Sequence, residues 1–249
     1  MTTPVLDYVS PPPEPPPVNR WATVTRWLVV LNVVIFVLDW FVIAKPMAYI
    51  VDGRQVSPTQ PLLAFYGSFS YVAVLGQFQV WRLVTYQFCH ANIEHIVVNL
   101  LGLLLAGPLV EERLGRLKFL LFYLACGVAG PFAHLLLTAI GIMPFGIFTP
   151  LVGASASIYG TLVAAAMIAP NELIELLFPP IDVKLKTLAM VLVGLSLVAV
   201  LWNWQNAGGH AAHLGGAIAG YLMMRRVRNG RGPSPSGDAA GIRYTAADV

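Results

Sequence analysis

Apolar residues in this chain gather into six long runs, and polar stretches separate one run from the next. The runs cover roughly residues 27–44, 94–110, 117–140, 155–169, 185–204 and 210–224. A helix of about 20 apolar residues crosses the ~30 Å hydrocarbon core of a bilayer, and a single span can satisfy its backbone polar groups in lipid only as a helix. The pattern therefore predicts an all-α, polytopic membrane protein, a bundle of six transmembrane helices.

The composition also favours a membrane protein. Of the 249 residues, 57% are hydrophobic and 11% are charged, and the mean hydropathy is +0.71. Soluble domains carry about 25% charged residues, so this composition excludes an ordinary soluble fold. The net charge of +3 is compatible with binding to nucleic acid. The basic residues are placed, however, as expected for the cytoplasmic side of a membrane protein.

Two polar tails flank the apolar part of the chain. Residues 1–24 include the proline-rich string SPPPEPPPVNR, and residues 228–249 are rich in glycine and alanine. Such segments bury too little apolar surface to fold alone. We therefore predict a disordered tail over 1–24, a membrane domain over 25–227 and a second disordered tail over 228–249.

The basic residues indicate how the chain is oriented. With a cytoplasmic amino terminus, twelve of the fifteen lysines and arginines fall on the inner side, and only Lys45, Arg54 and Arg82 fall on the outer side. Cytoplasmic loops carry an excess of lysine and arginine, so we predict that both termini are cytoplasmic. The outer connection over residues 45–93 is long and partly apolar, and we expect it to lie in the membrane interface. Six spans without a recognisable transit peptide lead us to expect a bacterial inner membrane.

Several polar side chains fall where lipid is expected to surround the chain. All five histidines lie in the outer half of the predicted membrane region or at its edge: His90, His95, His134, His210 and His213. Asn99 lies one helical turn inward from His95. Ionisable groups at this depth are costly and usually mark a functional cavity.

Ser155 and His213 are predicted to lie at similar depth. A helix from Ser155 to Pro170 measures roughly 22 Å and places the serine about 8 Å below the outer edge of the core; counting back from Arg225 places His213 about 12 Å below it. Small residues recur every four positions on both helices, a pattern that lets helices approach closely in lipid. These residues are Ala156, Gly160 and Ala164 on one helix and Ala212, Gly216 and Gly220 on the other.

A serine hydroxyl beside a neutral imidazole forms a nucleophile with its general base. Ser155 also begins a helix, where free backbone N–H groups can stabilise an oxyanion. His95 and Asn99 are spaced i, i+4 and offer two further donors on one helix face. The nearest acids, Asp39 and Glu94, have no comparable motif, so the sequence predicts a dyad without an acidic third member.

These residues and their order resemble the rhomboid intramembrane serine proteases over residues 25–227. GASAS resembles the family's Gly-x-Ser nucleophile motif, and AAHLGGAIAG its motif around a catalytic histidine. HANIEHIVVN resembles the second-helix pattern of the family, WRLVT its Trp-Arg pair and EERLG its Glu-x-Arg-x-Gly turn. Ala156 departs from the glycine that many members have after the nucleophile.

The resemblance implies a role for each matching residue. The catalytic pair would be Ser155 and His213, and the side-chain oxyanion donors His95 and Asn99. The cavity and its packing would depend on His90, Tyr159, Gly153, Gly216 and Gly220. The loop anchors would be Trp81, Arg82, Glu111 and Arg113.

The resemblance also implies an activity. The protein would be a serine endopeptidase that cleaves transmembrane proteins near the outer membrane face through an acyl-enzyme. Its partners would be those substrates and the bilayer, without nucleic acid, and it would need neither cofactor nor metal.

Two alternatives stay open at this point. Four imidazoles, those of His90, His95, His210 and His213, could bind zinc or copper, although the chain has no His-Glu-x-x-His string. A rhomboid-like protein could instead bind transmembrane helices without cleaving them, but inactive relatives usually lack the serine or the histidine, and this chain has both. The sequence assigns no role to Asp39, His134 or His210, and it specifies neither the substrate nor the oligomeric state.

Overall fold

The computed structural model describes residues 24–42, 45–46, 49–51, 54–56, 59–60, 62–143, 150–176, 180–204 and 206–229. The two predicted tails lie outside these ranges, except where each meets the membrane domain. The first helix already begins at Val24, and the last helix continues to Asn229.

Helices make up most of the described chain. In chain order they are α1 (Val24–Val37), α2 (Leu62–Gly67), α3 (Arg82–Thr85), α4 (Ile93–Leu114), α5 (Arg116–Ala139), α6 (Ser155–Ile168), α7 (Leu185–Leu201) and α8 (Ala207–Asn229). A π-helical turn over Leu38–Val42 continues α1, a second covers Val72–Gly76, and the 3-10 turn Tyr86–Phe88 follows α3. The expected helical architecture is thus confirmed, with a helix in each of the six predicted apolar segments.

Short strands occur in the connections and were not predicted. They pair antiparallel as β1 (Lys45–Pro46) with β4 (Thr59–Gln60), β2 (Tyr49–Val51) with β3 (Arg54–Val56), and β5 (Leu173–Glu175) with β6 (Asp182–Lys184). Strands of two or three residues are too short to show the alternation of apolar and polar positions by which a sequence reveals a strand.

Within the described ranges, three helices are long and apolar enough to cross a membrane: α1 with its π-helical turn (Val24–Phe41), α4 and α5. The helices α6 and α7 are apolar but have 14 and 17 residues, and α8 carries two histidines and three arginines. The protein is therefore an integral, multi-pass membrane protein, while the number of six spans stays a prediction.

The helix α6 lies at the centre of the bundle and packs against α4, α5, α7 and α8. Buried residues occur on every side of it, from Ala156 to Ala165, as is typical of a helix enclosed by other helices. Large apolar side chains on the outer helices, such as Leu136 and Met190, are exposed instead. In a bilayer these exposed side chains would face lipid.

Glycines allow α8 to lie directly against α6. A Cβ atom at Gly216 would overlap the carbonyl oxygen of Ala156, and one at Gly220 would overlap that of Gly160. The two stripes of small residues therefore face each other, as the sequence predicts, and the outer ends of the two helices meet.

The connection between α1 and α4 is fastened at two points. The buried carboxylate of Asp39 accepts hydrogen bonds from the backbone N–H groups of Leu63 (2.6 Å) and Ala64 (2.9 Å), so it caps the start of α2. Arg82 donates through Nη1 to the carbonyl oxygens of Phe65 (3.0 Å) and Ser68 (2.7 Å), near the end of α2. These contacts give Asp39 a structural role that the sequence does not reveal.

At the opposite end of the bundle, hydrogen bonds to Glu111 join α1 to α4. Its buried carboxylate accepts hydrogen bonds from the backbone N–H groups of Val24 (2.8 Å) and Thr25 (2.9 Å) and from the hydroxyl of Thr25 (2.8 Å). Glu111 thereby joins the last turns of α4 to the first turn of α1. Arg113, two residues later, is exposed.

Candidate active site

Ser155 and His213 are in contact at the outer ends of α6 and α8. The Ser155 hydroxyl lies 2.8 Å from Nε2 of the imidazole, which is hydrogen-bonding distance. Ser155 is the first residue of α6, and His213 lies in the second turn of α8. The close approach of the two glycine-bearing stripes brings these side chains together from positions 58 residues apart in the chain.

Tyr159 holds the imidazole of His213 from one side. The two rings stack, with centroids 4.2 Å apart and planes inclined by 17°. Tyr159 lies four residues after Ser155 and therefore one turn further along the same face of α6. The stack restricts the rotation of the imidazole so that Nε2 stays directed at the serine.

The second nitrogen of the His213 ring faces α7. Ser196 is fully buried there, and its Oγ lies 3.5 Å from Nδ1 of His213. The same oxygen is 3.2 Å from Nδ1 of His210 and 3.3 Å from the Tyr159 hydroxyl. Ser196 is not among the site residues that the sequence predicts, and the signal that could have revealed it is a lone hydroxyl in the otherwise apolar outer half of α7.

Gly153 brings His95 against the backbone that precedes Ser155. Its φ is +114°, and a Cβ atom there would lie 2.6 Å from both Cε1 and Nε2 of His95. The N–H of Gly153 donates to the carbonyl oxygen of Tyr86 (2.9 Å), which fixes this extended segment. Glycine is needed because a side chain would both strain the backbone and displace the imidazole.

Asn99 lies one turn inward from His95, as the i, i+4 spacing predicts. Its Nδ2 donates to the carbonyl oxygen of His95 (2.7 Å), so one amide N–H is used within α4. The amide keeps a second N–H. Its Oδ1 is buried and has no hydrogen-bond partner in the described part of the chain.

Two residues of the turn before α4, Tyr86 and Gln87, form hydrogen bonds with the helices around the site. The Tyr86 hydroxyl donates to the carbonyl oxygen of Gly127 on α5 (2.5 Å). Gln87 is fully buried and accepts a hydrogen bond from the Ser157 hydroxyl on α6 (2.9 Å). Neither residue is predicted from the sequence, and together they join this turn to α5 and α6.

Two further predicted residues, His90 and Trp81, lie in the connection before α4. The His90 ring lies 5.2 Å from the His95 ring, edge to face. The backbone carbonyl of His90 accepts a hydrogen bond from the indole N–H of Trp40 (3.1 Å). Burial, together with the nearby His95, lowers the pKa of His90 to about 4, so this imidazole is neutral at neutral pH. Trp81 is 54% exposed beside the buried Arg82.

His134 lies apart from the serine, packed against the Tyr71 ring with centroids 5.4 Å apart. Within the residues that the structure describes, no group of three or more His, Cys, Asp or Glu side chains is placed to hold a metal ion. The four histidines that the sequence offers as a metal site instead contact one another in pairs, His90 with His95 and His210 with His213.

The arrangement has the parts of an acyl-transfer site. A hydroxyl contacts an imidazole nitrogen that can accept its proton, and the hydroxyl stands at a helix start with free backbone N–H groups. A second imidazole, that of His95, lies against the adjoining backbone. Such groups can stabilise negative charge on a carbonyl oxygen.

The sequence of this chain is similar to one protein family and to several of its known members. The family model named Rhomboid domain matches residues 77–229, more than half of the chain. The chain is 28% identical over 188 residues to Rhomboid-like protease 3 of Toxoplasma gondii, a match that covers 74% of this chain and 66% of that protein. It is 29% identical over 172 residues to Rhomboid protease GluP of Bacillus subtilis, covering 69% of this chain and 30% of that protein.

A plant protein shows the longest of the three matches. The chain is 26% identical over 211 residues to RHOMBOID-like protein 1 of Arabidopsis thaliana, covering 79% of this chain and 51% of that protein. The chain thus spans less than two thirds of the length of each of these three relatives. The family match begins just after the π-helical turn Val72–Gly76, runs to the end of α8 and includes Ser155, His213 and Ser196, and on this evidence the chain belongs to the rhomboid family.

Proposed function

We propose that this protein is an intramembrane serine endopeptidase whose catalytic residues are Ser155 and His213. The observation that carries the proposal is the 2.8 Å contact between the serine hydroxyl and Nε2 of the histidine inside a helical bundle. Membership of a family that includes proteins named as proteases supports it.

The reaction begins when the Ser155 oxygen attacks the carbonyl carbon of a peptide bond. Its proton passes to Nε2 of His213, and a tetrahedral intermediate forms. The intermediate collapses as His213 returns the proton to the leaving amine, which yields an acyl-enzyme and the first product. Water entering from the outer side then attacks the ester, again with His213 as the base, and releases the second product.

The oxyanion of each intermediate lies near the start of α6. We assign its stabilisation to the backbone N–H of Ser155 and to the side chains of His95 and Asn99. The position of His95 against Gly153 supports this assignment, and the second amide N–H of Asn99 is the available donor. Removal of a single oxyanion donor typically lowers kcat by about 10²–10³.

The proposed substrates are transmembrane proteins, cut near the outer end of a helix. A helical peptide bond is shielded by its own side chains and hydrogen bonds, so the segment must become extended to reach Ser155. Residues with low helix propensity near the cut, such as glycine, should therefore promote cleavage.

We further propose six spans with both termini in the cytoplasm of a bacterial cell. In this arrangement α6 and α8 both run from the outer to the inner side, and the Ser155–His213 pair lies in the outer half of the membrane. The excess of lysine and arginine in the connections assigned to the inner side supports it.

The decisive experiment is a cleavage assay in liposomes with a transmembrane substrate. Wild type should cleave, whereas Ser155→Ala and His213→Ala should each lose activity by about 10³-fold or more, since removal of one member disables the unit. Thr161→Val is the matched control, because it also removes a buried hydroxyl from α6 but one that bonds only its own helix at 2.8 Å.

A fluorophosphonate probe gives an independent measure. It should modify wild type at Ser155, located by mass spectrometry, and leave Ser155→Ala unmodified. EDTA should leave the cleavage rate unchanged. Equal cleavage by wild type and both variants would refute the proposal, and loss of activity with EDTA would instead favour a metal site.

A further inference from the structure

A histidine that acts as a base through Nε2 must carry its proton on Nδ1. Proteases with an acidic third residue fix this tautomer with a carboxylate. In the described part of the chain, no hydrogen bond or ion pair joins His213 to an acidic residue; the partner of its Nδ1 is the Ser196 hydroxyl.

The Ser196 hydroxyl lies within hydrogen-bonding distance of two imidazoles and a phenol. Its oxygen lies 3.5 Å from Nδ1 of His213, 3.2 Å from Nδ1 of His210 and 3.3 Å from the Tyr159 hydroxyl. The three neighbours lie on α6 and α8, whereas Ser196 lies on α7. One side chain thus connects the three helices that meet at the outer end of the site.

We propose that Ser196 is a positioning residue of the dyad, which holds His213 in the Nδ1–H tautomer so that the lone pair of Nε2 faces Ser155. This inference rests on the proposed function of His213 as the base. Ser196 does not touch the substrate and acts only through the histidine.

The hydrogen-bonding capacity of a serine hydroxyl matches its three neighbours. The hydroxyl has one donor and two acceptor positions. It donates to the Tyr159 oxygen and accepts from the Nδ1–H groups of His213 and His210. The Nδ1–H···O bond persists when Nε2 takes the serine proton, so the imidazolium keeps a partner throughout the reaction.

Packing alone does not account for a serine at this position. Ser196 is fully buried, and its neighbours along α7 in the string VLVGLSLVAVL are aliphatic or glycine. Alanine would fill nearly the same volume without a polar group to satisfy. We therefore attribute the serine at this position to its hydrogen bonds with the three polar neighbours.

The test compares Ser196→Ala with wild type in the liposome assay. Loss of one hydrogen bond to the base should lower kcat by about fivefold to tenfold and leave KM unchanged, since the substrate does not contact Ser196. The rate of fluorophosphonate labelling at Ser155 should fall by a similar factor, because labelling needs the same base. Thr161→Val should leave both rates at the wild-type level.

A spectroscopic readout separates positioning from a general structural effect. Nitrogen NMR of protein labelled with ¹⁵N-histidine should show His213 as the Nδ1–H tautomer in wild type and as a mixture of tautomers in Ser196→Ala. Tyr159→Phe should add no further loss in kcat when it is combined with Ser196→Ala, because the phenol acts on the network through Ser196.

The outcomes distinguish this inference from the function on which it rests. If wild type cleaves, Ser155→Ala does not, and Ser196→Ala matches wild type in kcat and in tautomer, the positioning role is wrong and the protease stands. If wild type neither cleaves nor reacts with the probe, the proposed function fails first.

Discussion

Gly153 shows how much of the site depends on one backbone conformation. Its φ of +114° is rarely adopted by residues with a side chain, and its α-carbon faces the His95 ring. The segment then reaches Ser155 within two residues. The position of the proposed oxyanion donor and that of the nucleophile are therefore set by the same short stretch of chain.

Gly153→Ala should lower both stability and activity. The positive φ alone costs about 1–3 kcal/mol, and the methyl group would displace the imidazole of His95. We expect a lower midpoint of thermal unfolding in detergent, together with a fall in kcat at temperatures where the variant is fully folded.

The control for this substitution is Gly194→Ala. Gly194 lies within α7, and a Cβ atom there meets nothing within 4 Å. Alanine is favoured over glycine in a helix by about 0.5–1 kcal/mol, so this variant should be at least as stable as wild type. If the two variants unfold at the same temperature, the strain attributed to Gly153 is wrong.

At the scale of elements, the pairing of α6 with α8 decides whether the dyad forms. The two helices approach until glycine Cα atoms on α8 lie against carbonyl oxygens of α6. Without a hydrophobic driving force between helices in lipid, such close packing is a main source of helix association. The same contact sets the depth of Ser155 relative to His213.

Gly220→Ala should separate α6 from α8. Its Cβ would overlap the carbonyl oxygen of Gly160, and overpacking of this kind costs about 1–3 kcal/mol. Gly220 lies about two turns from His213, so any loss of activity would arise through the helix pair. Both unfolding temperature and probe labelling of Ser155 should fall.

Ile218→Ala is the matched change on the outer face of α8. Ile218 is 59% exposed and would face lipid, so its truncation should leave labelling unaffected. Equal effects of the two substitutions would contradict the close-packing account.

Asp39 fastens the outer connection to the end of α1. Replacing it with alanine removes the acceptor for the N–H groups of Leu63 and Ala64 and should cost about 0.5–2 kcal/mol, the usual range for a lost helix cap. Asp39→Asn should recover only part of this loss, because its single amide oxygen can accept from one of the two N–H groups and not from both. Limited proteolysis of the connection in detergent, followed by mass spectrometry, should show the fastest cleavage for the alanine variant.

At the scale of the whole molecule, the Ser155–His213 pair lies on the two helices that least resemble ordinary membrane spans. The helix α6 is short, and α8 is rich in glycine and carries two histidines. The shorter α6 packs against α4, α5, α7 and α8, and the glycine-rich α8 packs against α5, α6 and α7. The polar centre lies between α6, α7 and α8, where these neighbours separate it from lipid. The fold thereby holds ionisable groups inside an apolar bundle.

Labelling of single cysteines tests the six-span arrangement. Asn203→Cys, between α7 and α8, should react with a membrane-impermeant maleimide added to intact cells. Asn171→Cys, between α6 and α7, should react only after the membrane is permeabilised. The native Cys89 and Cys126 are both buried, so the parent protein should give little background, and the same accessibility at both sites would refute the arrangement.

The sequence by itself determined where the six principal helices lie, without the short α2 and α3, and which serine and histidine meet. Both follow from local properties: the length of an apolar run measures depth in a bilayer, and small residues at four-residue spacing mark the face of a close helix contact. The start of α6 at Ser155 and the facing stripes of α6 and α8 agree with those expectations.

Only the tertiary structure decided what surrounds that pair. Ser196, Gln87 and Asp39 each make their contacts with residues far away in the chain, and a lone polar residue in an apolar helix does not reveal which helix it faces. The partner depends on the rotation of each helix about its axis and on the path of the loops, which are set by the packing of all the helices together.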